Sequence, residues 1–330
     1  MKVELPDLIG ADLYSAVGPH PVLVMPARSP QVGPSQAVKI GIDEDASLRC
    51  DNPNAFDILL TSRSDAPQPW VTIRQGSVAH HATKLAEQIQ MHPTAATILA
   101  QVMRIGERLD FAQALQIESF AYSTLLGGTE FCHWLAARNQ KVSPDRVPRT
   151  LVLVDRDGDN MTLTLNDPLR NNPFTPELRD SLYSHLANII EDPSEPNVAI
   201  QAAGRCFSTG GYLPEFGDAK DLAVAHVVRT LRSCTQLIWT LGERASVCFH
   251  GAAIGSGLEV PAAAARREAT DNAWFQLPEL KMGLIPGAGG TVSLSRAIGR
   301  HRTMWMAVSG RRIAAQQALS LGIVHAIVGA

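Results

Sequence analysis

Two short apolar runs, Ala55-Phe56-Asp57-Ile58-Leu59-Leu60-Thr61 and Trp70-Val71-Thr72-Ile73, flank a polar, proline-containing turn and read as strands. From about residue 81 to 139 the period lengthens to that of helices. Pro93 stands at the tolerated first-turn position of a helix. Ile98, Leu99, Val102, Met103 and Ile105 follow at helical spacing, a stripe that reads as core or subunit contact. Asp110 is placed to cap the next helix, Gly127-Gly128 to stop it, and Thr129 to open another carrying Phe131 and Trp134. The polar stretch 139–145 marks a boundary. Beyond it, 150–154 and 161–165 form a strand pair turned at Asp157-Gly158-Asp159. A helix opens at Thr175-Pro176, a buried-type strand covers 198–203, a helix covers about 219–242, and a strand covers 246–249. Strands alternating with helices predict parallel βαβ units. Residues 1–50 are rich in Pro, Ser and Gly and show little period. The expected organisation is an irregular N-terminal extension with short strands over 1–80, a helical segment over 81–140 and a core over 150–330.

Composition narrows the function classes. Apolar residues make up 45% of the 330 positions, enough to bury a sizeable core. A net charge of -3 argues against a nucleic-acid-binding protein. The five cysteines are scattered and form no CxxC pair, which points to a reducing cytoplasm and to neither a disulfide framework nor a zinc knuckle. The start of the chain lacks the apolar core of a signal peptide, and no run reaches the roughly 18 apolar residues of a membrane span. His80, His81 and His92 have no metal-type partners in a recognisable motif, so no metal is expected. His250 reads as a core or turn residue, and Arg266-Arg267 and Arg311-Arg312 as solvated faces.

Chemistry concentrates in 255–291. In Gly255-Ser256-Gly257-Leu258-Glu259, two glycines around a serine let a ligand approach the backbone. A helix starting there aims free N–H groups and its positive dipole end at that ligand. Pro278-Glu279 and Pro286-Gly287-Ala288-Gly289-Gly290-Thr291 follow. Two carboxylates, Glu259 and Glu279, can meet over one ligand, a basis for an oxyanion hole with an acid/base pair. Alone, Glu259 would read as a first-turn carboxylate favoured by the helix dipole; the second carboxylate and the glycine loops favour a functional role. Ser208 has no histidine partner in a hydrolase arrangement and is not a nucleophile.

These segments resemble the enoyl-CoA hydratase/isomerase (crotonase) family, in family order over about 150–328: Leu165-Asn166-Asp167-Pro168, Gly204-Arg205-Cys206-Phe207-Ser208-Thr209-Gly210-Gly211, the two segments above, Ser309-Gly310-Arg311-Arg312-Ile313-Ala314-Ala315 and Gly322-Ile323-Val324. The resemblance implies an α/β fold, a crotonase-type ββα spiral with two roughly perpendicular sheets and a helical cap. It implies an acyl-CoA thioester as substrate, with coenzyme A entering as part of it and no separate cofactor, and a homo-oligomer, trimer or hexamer. By motif position the oxyanion amides are those of Gly211 and Ser256, the water-activating glutamates are Glu259 and Glu279, and Ser208, Thr209, Gly210, Tyr212, Gly255 and Arg170 belong to substrate and CoA binding. Retention of both glutamates favours hydration of a 2-enoyl-CoA. Isomerisation or another acyl-CoA lyase step is the alternative within the fold, and a non-catalytic acyl-CoA-binding or assembly module the alternative outside catalysis.

The sequence departs from the family pattern in three places. Tyr212 stands where the family often has Asp, which would reshape the acyl pocket. Asn171 replaces a basic residue, with Arg170 beside it. Ser256 replaces the middle of three glycines. The family also continues past the Gly322-Ile323-Val324 segment with helices that cover the acyl site, whereas residues 82–138 resemble that tail. The resemblance is that of a circular permutation, with those helices moved to the N-terminal side and packed over 255–290; an unrelated amphipathic helical domain is the alternative.

Overall fold

The computed structural model of the chain describes residues 11–29, 35–138 and 149–329. Four strands, β1 (Val22–Pro26), β2 (Val38–Asp43), β3 (Ile58–Thr61) and β4 (Val71–Thr72), pair in chain order into a parallel sheet. The two expected strands are β3 and β4. The expectation of an irregular segment before them fails over β1 and β2, where Val38 and Ile40 are wholly buried. Those strands span only five and six residues, and Lys39 lies buried inside one of them, so neither period nor polarity announces them.

Helices α1 (Val78–Met91), α2 (Pro93–Gly106), α3 (Phe111–Leu126) and α4 (Thr129–Ala137) follow. Local signals set their ends. The Ser77 hydroxyl accepts from His80 N at 3.1 Å, Pro93 opens α2, and Asp110 Oδ1 accepts from Gln113 N at 2.8 Å. Gly127 then terminates α3. The polar stretch 139–145 lies outside the described residues.

The remainder is the expected ββα spiral. A hairpin of β5 (Val152–Asp157) and β6 (Asn160–Leu165) leads to α5 (Pro176–Glu191), β7 (Asn197–Ala202), α6 (Leu222–Leu231) and α7 (Cys234–Thr240). The single helix expected over 219–242 breaks at Ser233, whose hydroxyl caps α7 by accepting from Gln236 N. The chain then twice places one strand in a large sheet, the next in a small sheet, and follows with a helix. The first pass is β8 (Ala245–Phe249), β9 (Ala252–Ile254) and α8 (Ser256–Glu259). The second is β10 (Arg266–Thr270), β11 (Trp274–Gln276) and α9 (Gly290–Ile298). It closes with α10 (Arg300–Ser309), β12 (Ile313–Ala314), α11 (Ala315–Leu321) and β13 (Ala326–Val328). The large sheet runs β13-β10-β8-β7-β6-β5 and is parallel except for its terminal hairpin; the small one runs β12-β11-β9.

One continuous apolar cluster joins the first sheet, α1–α3 and the spiral. Buried arginines of α10 add polar fixings. Arg302 donates to Trp70 O at 2.9 Å, Ala66 O at 2.8 Å and Leu321 O at 3.0 Å, and Arg300 donates to Phe56 O at 2.9 Å. These carbonyls have no water to turn to, so Arg302→Met should cost about 3 kcal/mol of unfolding free energy. Urea denaturation is the check; a loss below about 1 kcal/mol would show the joint to be held by apolar contact alone. Helices α3 and α4 lie over the 283–291 region. Glu118 of α3 bonds Gly289 and Thr291, and α4 packs so closely on Gly283 that a Cβ there would stand 2.6 Å from Phe131 N. Among the described residues no helix is long and apolar enough to cross a membrane.

Candidate active site

Strand β9 delivers its last residue to Gly255, where φ of +50° turns the backbone into α8. That conformation suits glycine, and the space demands it: a Cβ there would stand 2.7 Å from Glu279 Oε1 and 3.8 Å from Glu259 Oε1. Both carboxylates therefore reach the same small region beside the turn. The loop after β7 passes against it backbone to backbone. Gly210 has φ of +81°, and a Cβ on it would lie 2.5 Å from Ile254 O. This contact sets Gly211 beside the first turn of α8. The amides of Gly211 and Ser256 have no protein acceptor among the described residues, and both residues line a cavity of about 580 Å³. Thr209, Gly210, Tyr212, Gly255, Glu259 and Glu279 line the same cavity.

Two expected binding residues stand elsewhere. Ser208 is fully buried; its hydroxyl donates to Asn172 O at 2.6 Å and accepts from Gly210 N at 3.1 Å, so it braces the loop behind the cavity. Arg170 is held by Asp167, at 2.5 Å and 2.7 Å, and lies over the Tyr212 ring at 5.3 Å from its centroid. It positions Tyr212, which is half-buried in the cavity wall. Asn171, at φ of +66°, accepts from Arg205 Nε through its side chain.

The four amides that lead into α9 clamp two carboxylates in alternation. Ala288 N and Gly290 N donate to Glu259 Oε2 at 2.8 and 3.0 Å. Gly289 N donates to Glu118 Oε1 at 2.6 Å, and Thr291 donates to Glu118 Oε2 through its amide at 2.8 Å and its hydroxyl at 2.6 Å. Successive amides point to opposite sides, and a helix N-terminus favours negative charge on both. Glu279 has no such support: its Oε2 is buried without a hydrogen-bond partner, as is Ser256 Oγ.

All three carboxyls are pushed upward, first by burial. Glu118 is raised to about 8, helped by repulsion from Glu259. Glu259 is raised to about 7, restrained by the amides of Ala288, Gly290 and Gly287. Glu279 is raised well above the ordinary range by burial and by the charges of Glu259 and Glu118. Glu259 and Glu118 accept N–H bonds that favour the anion, and Glu279 accepts none from another residue's side chain. Burial and the neighbouring carboxylates thus favour the acid form of Glu279, while the turn amides favour the anion of Glu259. The arrangement couples a carboxylate, a carboxylic acid and two free amides on one cavity wall.

The enoyl-CoA hydratase/isomerase family profile matches residues 159–330, just over half of the chain. The chain belongs to that family. A probable mitochondrial enoyl-CoA hydratase 2 of Arabidopsis thaliana is 32% identical over 191 residues, which cover 58% of this chain and 64% of that one. The 2,3-dehydroadipyl-CoA hydratase of Escherichia coli is 33% identical over 177 residues, 52% of this chain and 67% of that one. The chain thus spans about two thirds of the length of these curated relatives. A crystal structure of enoyl-CoA hydratase from Bacillus halodurans superposes with a TM-score of 0.51 at 27% identity, over 55% of this chain and 74% of that one. The family-matched span holds both glycine loops, Glu259, Glu279 and the 286–291 turn. It excludes the first sheet and α1–α4.

Among the cavity residues that the sequence does not single out are Glu118, Tyr122 and Arg229. Glu118 had a usable signal. It falls on the stripe of Phe111, Ala114, Leu115, Tyr122 and Leu125, and a carboxylate amid an apolar face is buried only when something holds it. Tyr122 and Arg229 look like ordinary helical residues until the fold brings α3 and α6 together.

Proposed function

We propose that this protein adds water across the 2,3-double bond of an enoyl-CoA thioester. The observation that carries this reading is the convergence of Glu259 and Glu279 at Gly255, beside the unpaired amides of Gly211 and Ser256. The thioester oxygen is seated on those amides, which stabilise the enolate-like charge that develops there, typically worth several kcal/mol. Glu259, anionic and held by the turn amides, removes a proton from water as its oxygen adds at the β-carbon. Glu279, protonated and without a partner on Oε2, delivers a proton to the α-carbon. Proton count and charge balance: Glu259 gains one proton, Glu279 loses one, and the pair is reset by exchange with solvent. Coenzyme A is part of the substrate in this reading, and no further cofactor takes part.

The chain order fits the same reading. We infer that α1–α4 stand in for the helices that close the acyl site from the other end of the family's chains; the packing of α3 and α4 over 283–291 and the cavity lining from α3 support it. For the assembly we place the subunit contact on α6, where Val224 and Val227 are each 56% exposed and Leu231 66%, on one face beside the exposed Phe120.

The test is turnover of short, long and aromatic 2-enoyl-CoA thioesters read by mass spectrometry. A product heavier by one water is expected. A moved double bond at unchanged mass would make the protein an isomerase instead. Binding without any reaction would leave an acyl-CoA-binding module.

A further inference from the structure

The geometry points to an anion-reading arginine in the acyl half of the cavity: Arg229 selects thioesters whose acyl chain ends in a carboxylate. This deepens the hydratase reading above and rests on it for the reaction, though not for the binding preference.

Three arginines line the cavity, Arg179, Arg229 and Arg232. Asp180 neutralises two of them, at 2.7 Å from Arg179 and 2.6 Å from Arg232. Arg229 has no ion-pair partner among the described residues. Its Nη1 is anchored to α3, donating to Ser119 Oγ at 2.8 Å, Ser123 Oγ at 3.1 Å and Ser119 O at 3.3 Å. Its Nε and Nη2 donate to no protein acceptor among the described residues. The guanidinium also lies 4.7 Å from the centroid of the Tyr122 ring, which fixes its plane. The cation is thus preorganised on one edge and open on the other, the edge that a carboxylate accepts in a two-bond fork.

Its place in the cavity assigns the kind of ligand. The Tyr122 ring packs on Gly287, where a Cβ would stand 2.3 Å away, and Gly287 begins the turn whose amides hold Glu259. Arg229 therefore sits one aromatic ring from the reacting carboxylates. Glu118 attracts Arg229 only at a distance: both oxygens of Glu118 are taken by Gly289 and Thr291, and among the described residues Arg229 pairs directly with no carboxylate, so its open edge stays available to a ligand. Much of the cavity wall is apolar, with Leu115, Leu126 and Val260 among its lining. A chain with apolar methylenes and a charged end matches that wall; a purely aliphatic chain would leave the cation buried beside hydrocarbon.

Carboxylate and phosphate are both anions, and the phosphates of coenzyme A are the second source of such a group. The experiment separates them. Binding of saturated acyl-CoAs with and without an ω-carboxylate, matched in length, is measured by calorimetry for the wild type and Arg229→Met. Turnover of the matching enoyl esters is measured in parallel, both as CoA esters and as N-acetylcysteamine thioesters, which lack phosphates. The wild type should prefer the carboxylated member, and Arg229→Met should lower the carboxylated-to-neutral ratio roughly 30-fold or more in binding and in kcat/KM, with either carrier. Arg229→Lys should restore part of that ratio. Equal losses on both acyl types with CoA, absent with N-acetylcysteamine, would assign Arg229 to the phosphates and overturn the proposal. Equal losses with both carriers would make it a structural counter-charge and overturn it too. A binding preference without turnover would support the arginine's role while sinking the hydration reading.

Discussion

Glu279→Gln should lower kcat for hydration roughly 100- to 10,000-fold while leaving acyl-CoA binding within a few-fold of the wild type, the loss usual for a positioned general acid. The amide is nearly isosteric and cannot deliver a proton to carbon. The amide leaves one polar atom as unpartnered as Oε2 is and removes a charge that burial opposes, so the variant should fold about as stably as the wild type. Glu259→Gln differs in kind. Its Oε2 accepts from Ala288 N and Gly290 N, and one orientation of the amide preserves both bonds, so the fold survives while the base is lost. A matching fall in kcat is expected. Stopped assays on purified variants, with circular dichroism as the folding control, decide the matter. Turnover of Glu279→Gln within tenfold of the wild type would remove it as the proton donor.

Glu118→Ala should be the most damaging change outside the two reacting carboxylates. It strands Gly289 N, Thr291 N and Thr291 Oγ1, all buried, at about 1–3 kcal/mol each before any rearrangement. The same turn holds Glu259, so its amides would shift and kcat should fall with stability. Glu118→Gln separates the two effects, because the turn keeps one acceptor while the cluster loses a charge. Glu118 helps raise the pKa of Glu279, so its removal lowers that pKa. Loss of activity on the alkaline side should then begin at lower pH in Glu118→Gln. Linkage gives a second readout of the same sign. These carboxyls are raised in the folded protein, so their contribution to stability is fully present below about 4.5, the ordinary value, and is lost as pH rises through about 7 for Glu259 and about 8 for Glu118. Wild-type thermal stability should therefore drop between about pH 4.5 and about pH 8, and drop less in Glu118→Gln. An unshifted alkaline limb together with an unchanged stability profile would show that Glu118 only caps α9.

What the sequence determined by itself is mostly local. Helix ends were legible because caps and breakers act within a few residues: Pro93, Asp110, Gly127 and Thr175 do in the structure what their chemistry predicts. Glu259, Glu279 and the glycine loops were legible because backbone approach demands glycine at fixed places, and Gly210 and Gly255 carry the positive φ to show it. The tertiary structure alone decided three matters. The first sheet escaped notice because parallel strands of five or six residues pair with partners far along the chain, and their pattern is too short to show a period. Ser208 stands behind the cavity because a hydroxyl has many possible partners and only the fold brings Asn172 O, 36 residues away, to it, whereas Arg170 pairs locally with Asp167. Glu118 and Arg229 entered the site because α3 crosses over the 286–291 turn and α6 packs on α3, joining Glu118 to Gly289 across 171 residues of chain. No local pattern encodes a contact of that span; burial of one shared core does.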